Sequence, residues 1–270
     1  GTTTVTYTYS DLCESGSVQA TFTIDAPTAL TVNTPTTFTA SACNYADQDA
    51  VDAAFTTWLS GFGVSGGCAP SGSYGTPVAP VLCTGGTTTV TYTYSDLCES
   101  GSVQATFTIN APTAIVISEP DDYSADATGF ADQAAINAAF ATWLEGFGVT
   151  GGCNPQGSYG TPSAPTLCGG FTEVTYNVSD LCQTGTATAT FTIVSPNPLV
   201  INEPNNYSGS SCTFANQAEL NAAFAAWLNG FSVSGGFNPV GAIVGSPVAP
   251  ALCQGGTTTV TYNVTDECGG

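Results

Sequence analysis

The sequence predicts a mainly β chain of tandem antiparallel β-sandwich repeats, each about 85 residues long and each carrying one amphipathic helix. Three observations carry this. Gly1 to Ile24 (GTTTVTYTYSDLCESGSVQATFTI) recurs unchanged at Gly86 to Ile109, and weaker copies begin at Gly170 and Gly256, so that Val5, Val90, Val174 and Val260 recur at spacings of 84 to 86 residues. Within each copy, apolar residues alternate with threonines at the period of a strand. Once per repeat the period lengthens to that of a helix.

The elements follow in order. Val90, Tyr92 and Tyr94 alternate with Thr91 and Thr93, and Val103, Ala105, Phe107 and Ile109 with Gln104, Thr106 and Thr108, which reads as the two strands of a hairpin. Its turn, Ser95 to Gly101, supplies the Asp, Ser and Gly that cap backbone groups and accept positive φ. A break at Ala111-Pro112-Thr113 leads into a further strand over Ala114 to Ser118. Ile136, Ala139, Phe140, Trp143, Leu144 and Phe147 then share one helical face, and 51–62 and 220–231 repeat the pattern. Asp47, Asp132 and Asn216 stand where an oxygen caps the helix start, and Gly61, Gly146 and Gly230 end it. Short strands such as Phe147 to Thr150 and a Gly/Pro-rich stretch, Gly157 to Pro162, lead to Cys168 and the next hairpin. Each unit so composed reads as a small Ig-like sandwich with one helix packed on it. Because such modules end on a long outgoing strand, boundaries fall after Ile24, Ile109 and Ile193: 1–24 is the hairpin of a preceding repeat, 25–109 and 110–193 are complete, and 194–270 lacks its last strand. The alternative boundary lies just before Gly86.

Twenty Asp and Glu stand against no Lys, Arg or His. Nothing can neutralise a phosphate, which excludes nucleic acid, and no polybasic patch can hold an anionic membrane surface. No run of about 18 apolar residues exists to cross a bilayer as a helix. Without His or Lys, the usual general bases and activators of Ser or Cys nucleophiles are missing. The absence of Met, even at position 1, predicts an interior stretch of a longer chain, without its initiator or a signal peptide.

Eleven cysteines, none in a C-x-x-C pair, point to disulfides in an oxidising, extracytoplasmic compartment rather than to zinc. Cys83 and Cys98, Cys168 and Cys182, and Cys253 and Cys268 are present in every copy at short spacing and are expected to pair within repeats. Cys43 and Cys68 flank the first helix and form the natural second pair, with Cys13 left to an upstream partner. Thr128 and Phe237 stand at the counterparts of Cys43 and Cys68, so Cys153 and Cys212 are left as buried free thiols or, alternatively, bridge to each other. Glu119, Asp121, Asp122 and Asp126 form the densest carboxylate group and are a candidate for Ca²⁺, although the other copies do not keep it and a solvated turn serves as well. No other cofactor is implied. Asp96 and its counterparts Asp11, Asp180 and Asp266 read as turn residues rather than catalytic ones. Trp58, Trp143 and Trp227 lie on the apolar helical stripe and read as core, whereas Tyr74 and Tyr159 in the Gly/Pro-rich loop are better placed to meet a ligand. Asn177, Asn206 and Asn263 begin glycosylation sequons.

Residues 130–144 (FADQAAINAAFATWL), Gly151-Gly152-Cys153-Asn154-Pro155, and Cys168-Gly-Gly leading into Val174-Thr-Tyr-Asn-Val-Ser-Asp-Leu-Cys182 together resemble a known family. The pattern is similar to the tandem repeats of the giant SprB-like surface adhesins of gliding Bacteroidota, distantly related to HYR and Ig-like domains. The resemblance implies export by type IX secretion, display at the outer membrane and a role in gliding, with no catalytic residue to carry over. The expectation is therefore a structural or adhesive segment of an extracellular cell-surface filament, without catalysis. Its partners would be other repeats of the same long chain and a surface polysaccharide or substratum. A carbohydrate-binding module array of a secreted protein is the alternative, and a glycosidase using paired carboxylates is a third class that lacks a convincing pair.

Overall fold

A computed structural model describes residues 1–269. The chain is mainly β, with one α-helix in each of the three repeats among the described residues. It divides into two compact units. One comprises Gly1–Ile115, Gly151–Pro155 and Asp180–Gln183; the other comprises Val116–Thr150, Gln156–Ser179 and the chain from Thr184 on.

The first unit contains β1 (Thr2–Ser10), β2 (Ser15–Thr23), β3 (Thr31–Asn33), β4 (Phe38–Ser41), α1 (Gln48–Leu59), β5 (Gly63–Ser65), β6 (Ser71–Ser73), β7 (Gly86–Ser95) and β8 (Ser100–Asn110). β1 and β2 form a hairpin that pairs with no other strand among the described residues. β3 and β5 form a second ribbon, and the main sheet has the order β4-β8-β7-β6. The period-2 pattern does what alternation requires, turning Val90, Tyr92, Ala105, Phe107 and Ile109 to one face of β7 and β8 while the threonines face out. Helix α1 covers that face with Val51, Phe55 and Leu59. Phe107, wholly buried, is the centre: it stacks on Phe38 at 4.4 Å and meets the edges of Phe55 at 5.1 Å and Trp58 at 5.5 Å. Asp47 caps the helix by accepting the Ala50 N–H at 2.9 Å. Gln48 then ties the helix start to the segment before β7, donating to the Pro80 carbonyl and accepting the Leu82 N–H.

The second unit repeats this construction with β9 (Val116–Ser118), β10 (Tyr123–Asp126), α2 (Gln133–Leu144), β11 (Gly148–Thr150), β12 (Gln156–Ser158), β13 (Gly170–Ser179) and β14 (Thr184–Val194). The sheet runs β10-β14-β13-β12, and Phe191 takes the place of Phe107 under Tyr123, Phe140 and Trp143. The third repeat follows with β15 (Val200–Asn202), α3 (Gln217–Leu228), β16 (Ser232–Ser234), β17 (Val240–Ile243) and β18 (Tyr262–Thr265), paired only as two two-stranded ribbons, β15-β16 and β17-β18.

Two expectations need correction. The sheets are not wholly antiparallel, because β4 pairs with β8, and β10 with β14, in parallel. Each of the first two repeats therefore has one mixed four-stranded sheet under a helix, beside a separate two-stranded ribbon. The glycines after the helices are also not left-handed caps: Gly61 and Gly146 are absent from the positive-φ residues, and a Cβ at Gly146 would meet the Pro120 Cβ at 2.7 Å. Close approach of the loop before β10, rather than backbone conformation, requires glycine there.

Candidate functional site: the cysteine junctions

Each complete repeat presents cysteine positions at two opposite ends. In the first, Asp96 sits in the β7–β8 turn and gathers three backbone N–H groups: Oδ1 accepts those of Cys98 at 2.8 Å and Glu99 at 2.7 Å, and Oδ2 accepts that of Cys68 at 2.9 Å. One carboxylate thus fixes Cys68 and Cys98 together at the turn end. Gly67 has φ +60 and lies against the Asp96 carboxylate, so a side chain there would be strained and would fill the space the carboxylate needs. At the far end, Ser41 pairs with Asn110, and Gly85 lies against Ala111, which places Cys43 and Cys83 where β8 leaves the sheet.

These ends are separated by the ten residues of β7, about 30 Å at the rise of a strand. A disulfide needs Cα atoms roughly 4.4–6.8 Å apart. Cys83–Cys98 and Cys43–Cys68 are therefore out of reach, and so is Cys168–Cys182 across the equally long β13. The structure pairs across repeats instead. Cys43 bonds Cys153, Cys83 bonds Cys182 and Cys168 bonds Cys268, with Cα separations of 5.0, 5.3 and 5.3 Å. In each case a far-end cysteine of one repeat meets a turn-end cysteine of the next. Cys68, Cys98 and Cys253, expected in disulfides, are free, as are Cys13 and Cys212. Cys153 is buried but bonded rather than a free thiol, and Cys212 is free but exposed.

One signal in the sequence could have found this. A fourth rung of the Cys43–Cys153 type would join positions 128 and 237, and those two positions have lost cysteine together, as Thr128 and Phe237. Phe237 is buried, so an apolar side chain fills the place of the turn-end sulfur.

In the second repeat Asp180 repeats the arrangement, accepting from Cys153 at 2.6 Å, Cys182 at 2.8 Å and Gln183 at 2.5 Å. Asp266 does so with Phe237 and Cys268 in the third. Burial raises the Asp180 pKa, but the N–H groups of Cys153, Cys182 and Gln183 outweigh it, so the carboxyl titrates below the usual range. The Cys68, Cys98 and Glu99 N–H groups hold Asp96 low in the same way, and those of Cys13 and Glu14 hold Asp11 low. A carboxyl whose folded pKa is depressed adds stability above its unfolded pKa and loses it as pH falls through the folded value. The chain should accordingly keep a constant thermal midpoint above about pH 5 and lose stability as pH falls below about 4. Asp180→Asn, which turns an amide donor toward one of the N–H groups, should lower the midpoint by a few degrees at neutral pH and flatten the acid slope; calorimetry from pH 7 to pH 3 measures both.

The other candidates fall elsewhere. Asp122 accepts the Thr190 N–H at 2.8 Å and Glu119 the Thr188 N–H at 3.2 Å, sealing the edge of β14 beside β10. Asp121 offers its backbone carbonyl to the Trp143 indole, and Asp126 precedes the 3-10 turn at Ala127–Gly129 without a side-chain cap. Among the described residues no three His, Cys, Asp or Glu side chains group to hold a metal ion; of the four carboxylates considered for Ca²⁺, those of Glu119 and Asp122 accept backbone N–H groups. Trp58 and Trp143 pack in the aromatic clusters. Tyr74 and Tyr159 join those clusters too, against Phe62 and Tyr92 and against Phe147 and Tyr176, so they are half-buried rather than presented to a ligand. A shallow open depression at the turn end is lined by Ser71, Ser73, Thr93, Ser95 and Ser100 around Tyr94, and holds no carboxylate.

Three disulfides fit an oxidising, extracytoplasmic compartment. No helix is long and apolar enough to cross a membrane among the described residues. No family model and no curated protein matches the chain. Among solved structures it is similar to an endo-fucoidan hydrolase, MfFcnA4, from glycoside hydrolase family 107, at 11% identity and a TM-score of 0.23 over 70% of this chain and 34% of the hydrolase. A variant of the same hydrolase matches at 12% identity and a TM-score of 0.22 over 72% of this chain. The chain spans about a third of the length of these neighbours, and the likeness is too slight to carry a fold or a function.

Proposed function

We propose that the chain is a force-bearing stalk segment of an extracellular filament, without catalysis. The observation that supports this is the direction of the disulfides: each joins one repeat to its successor, so tension along the chain passes through covalent rungs as well as through the linkers. A carboxylate that seats two turn-end positions at once suits repeated, identical joints. Twenty negative charges with no positive ones keep such a segment from adhering to itself or to anionic polymers. On this reading the sheet, ribbon and helix make up an Ig-like module, and the resemblance to SprB-like repeats extends to display on a gliding cell surface after type IX secretion. The partners are then other repeats of the same chain, and any grip on a polysaccharide lies outside these repeats.

The alternative, a carbohydrate-binding array, makes the opposite prediction for one experiment. The purified chain applied to a glycan array, including acidic algal and bacterial polysaccharides, should retain no glycan above background. Saturable binding to one glycan class, lost when Tyr94 is replaced by Ala, would replace the stalk reading with the array.

A further inference from the structure

The carboxylates of Glu119 and Asp122 accept the N–H groups of Thr188 and Thr190, at 3.2 and 2.8 Å, on the side of β14 that faces away from β13. Alternate residues of a strand send both backbone groups to the same side. These two therefore lie on the edge that β10 pairs only further on, from Phe191 to Val194. The first repeat has the same sheet in the same register. Gln104 and Thr106 of β8 stand opposite Thr91 and Thr89, as Thr188 and Thr190 stand opposite Thr175 and Glu173, and β4 begins its pairing at Phe107. In the places of Glu119 and Asp122, however, the first repeat has Thr34 and Thr37. The Thr106 hydroxyl reaches that of Thr37 at 3.5 Å, but among the described residues nothing accepts the Gln104 and Thr106 N–H groups. The edge of β8 from Ser100 to Thr106 thus lies open. It also lacks the devices that blunt an edge, since Ser-Gly-Ser-Val-Gln-Ala-Thr has no charge and no proline.

We propose that this edge of the first repeat is a docking site for an extended, basic segment of another protein, which adds to the sheet as a strand beside β8 and in line with β4. The Ser102, Gln104 and Thr106 N–H groups donate to its carbonyls, and its own N–H groups donate to the Ser102 and Gln104 carbonyls. The charge of the partner follows from that of the chain. Twenty carboxyl groups with no Lys, Arg or His repel an acidic strand, a second copy of this chain included, and attract one that carries Lys or Arg. Glu99, exposed in the turn beside Ser100, puts one of those charges at the end of the edge. Val103 packs on the core and is half-buried, so apolar residues at alternate positions of the partner have a surface to cover. The second repeat is closed to the same partner by Glu119 and Asp122. The inference goes beyond the stalk reading and does not rest on it, since it concerns what one sheet edge binds and not what load the chain bears.

Isothermal titration calorimetry of the whole chain with a short peptide alternating Lys and Val tests it, and the same peptide with Glu for Lys is the charge control. The Lys peptide should bind, the Glu peptide should not, and backbone amide shifts should centre on Ser102, Gln104 and Thr106. Two double variants separate an edge site from the general attraction of a cation to an acidic chain. Thr34→Glu with Thr37→Asp transplants the seal. It adds two negative charges, yet it should remove one equivalent of bound peptide, weakening that site by about tenfold or more, the scale of two hydrogen bonds. Glu119→Thr with Asp122→Thr removes two negative charges, yet it should add one equivalent. General attraction would move both results the other way. Each variant places in one repeat the residues its neighbour already carries, and unchanged near-ultraviolet circular dichroism confirms that it is folded. Lys-peptide binding that is absent, or that survives Thr34→Glu with Thr37→Asp at full stoichiometry, overturns the proposal. So do equal binding of the Glu peptide, a second variant that takes up no more peptide than the parent, and amide shifts centred away from β8.

Discussion

Pulled from its two ends with the disulfides intact, the chain should extend to only about a quarter of the length it reaches after reduction. The shortest covalent route runs from Gly1 to Cys43, crosses to Cys153, follows the backbone to Cys168 and crosses to Cys268. That route holds about 60 residues and reaches roughly 210 Å, against about 940 Å for the reduced chain. Pairing within repeats would give a different number: loops closed by Cys43–Cys68, Cys83–Cys98, Cys168–Cys182 and Cys253–Cys268 leave about 200 residues free, or roughly 700 Å. Single-molecule force spectroscopy with and without reductant separates the three values. The rungs are also unequal. Cys83–Cys182 runs beside Cys43–Cys153, so Cys43→Ser should lengthen the route only to roughly 340 Å. No second rung parallels Cys168–Cys268, and Cys168→Ser should lengthen it to roughly 560 Å. A chain equally long in oxidising and reducing buffer would remove the basis of the stalk proposal.

The parts of this fold that were legible in the sequence are those decided within a few residues. Hairpin alternation, the Asp47 and Asp132 caps and the aromatic stripe of each helix are local matters, and the structure places them where the pattern does. The parallel pairing of β4 with β8 was not legible, because a four-residue strand finds a partner almost seventy residues away and has no periodicity of its own. Pairing cysteines by nearness in sequence failed for a simple geometric reason: the chain between Cys83 and Cys98 is a nearly straight strand, so fifteen residues carry it to the opposite end of the repeat. Asp96 and Asp180 were legible as turn residues, but their second oxygen, reaching a loop 27 or 28 residues earlier, was not. Repetition held the remaining information, in the joint absence of cysteine at 128 and 237.

That joint absence leads to the second large effect. Thr128→Cys combined with Phe237→Cys should create a fourth rung, since the two positions are the counterparts of Cys43 and Cys153, whose Cα atoms lie 5.0 Å apart. Alone, Phe237→Cys removes a buried aromatic and should cost about 3 kcal/mol, while Thr128→Cys alone, on an exposed residue, should change little. Together they close a loop of about 110 residues, for which the chain-entropy model gives a stabilisation of about 4–5 kcal/mol, enough to offset the lost packing. The double variant should thus be at least as stable as the parent, and the two changes should be strongly non-additive. Thiol titration gives the direct reading, with no more free thiols than the parent under denaturing, non-reducing conditions. Extension gives a second. In the Cys168→Ser background the new rung opens a route from Cys153 back to position 128 and across to position 237, which shortens the reach from roughly 560 Å to roughly 350 Å. Two additional free thiols in the double variant would mean that positions 128 and 237 do not meet. The third repeat would then be joined to the second by Cys168–Cys268 alone.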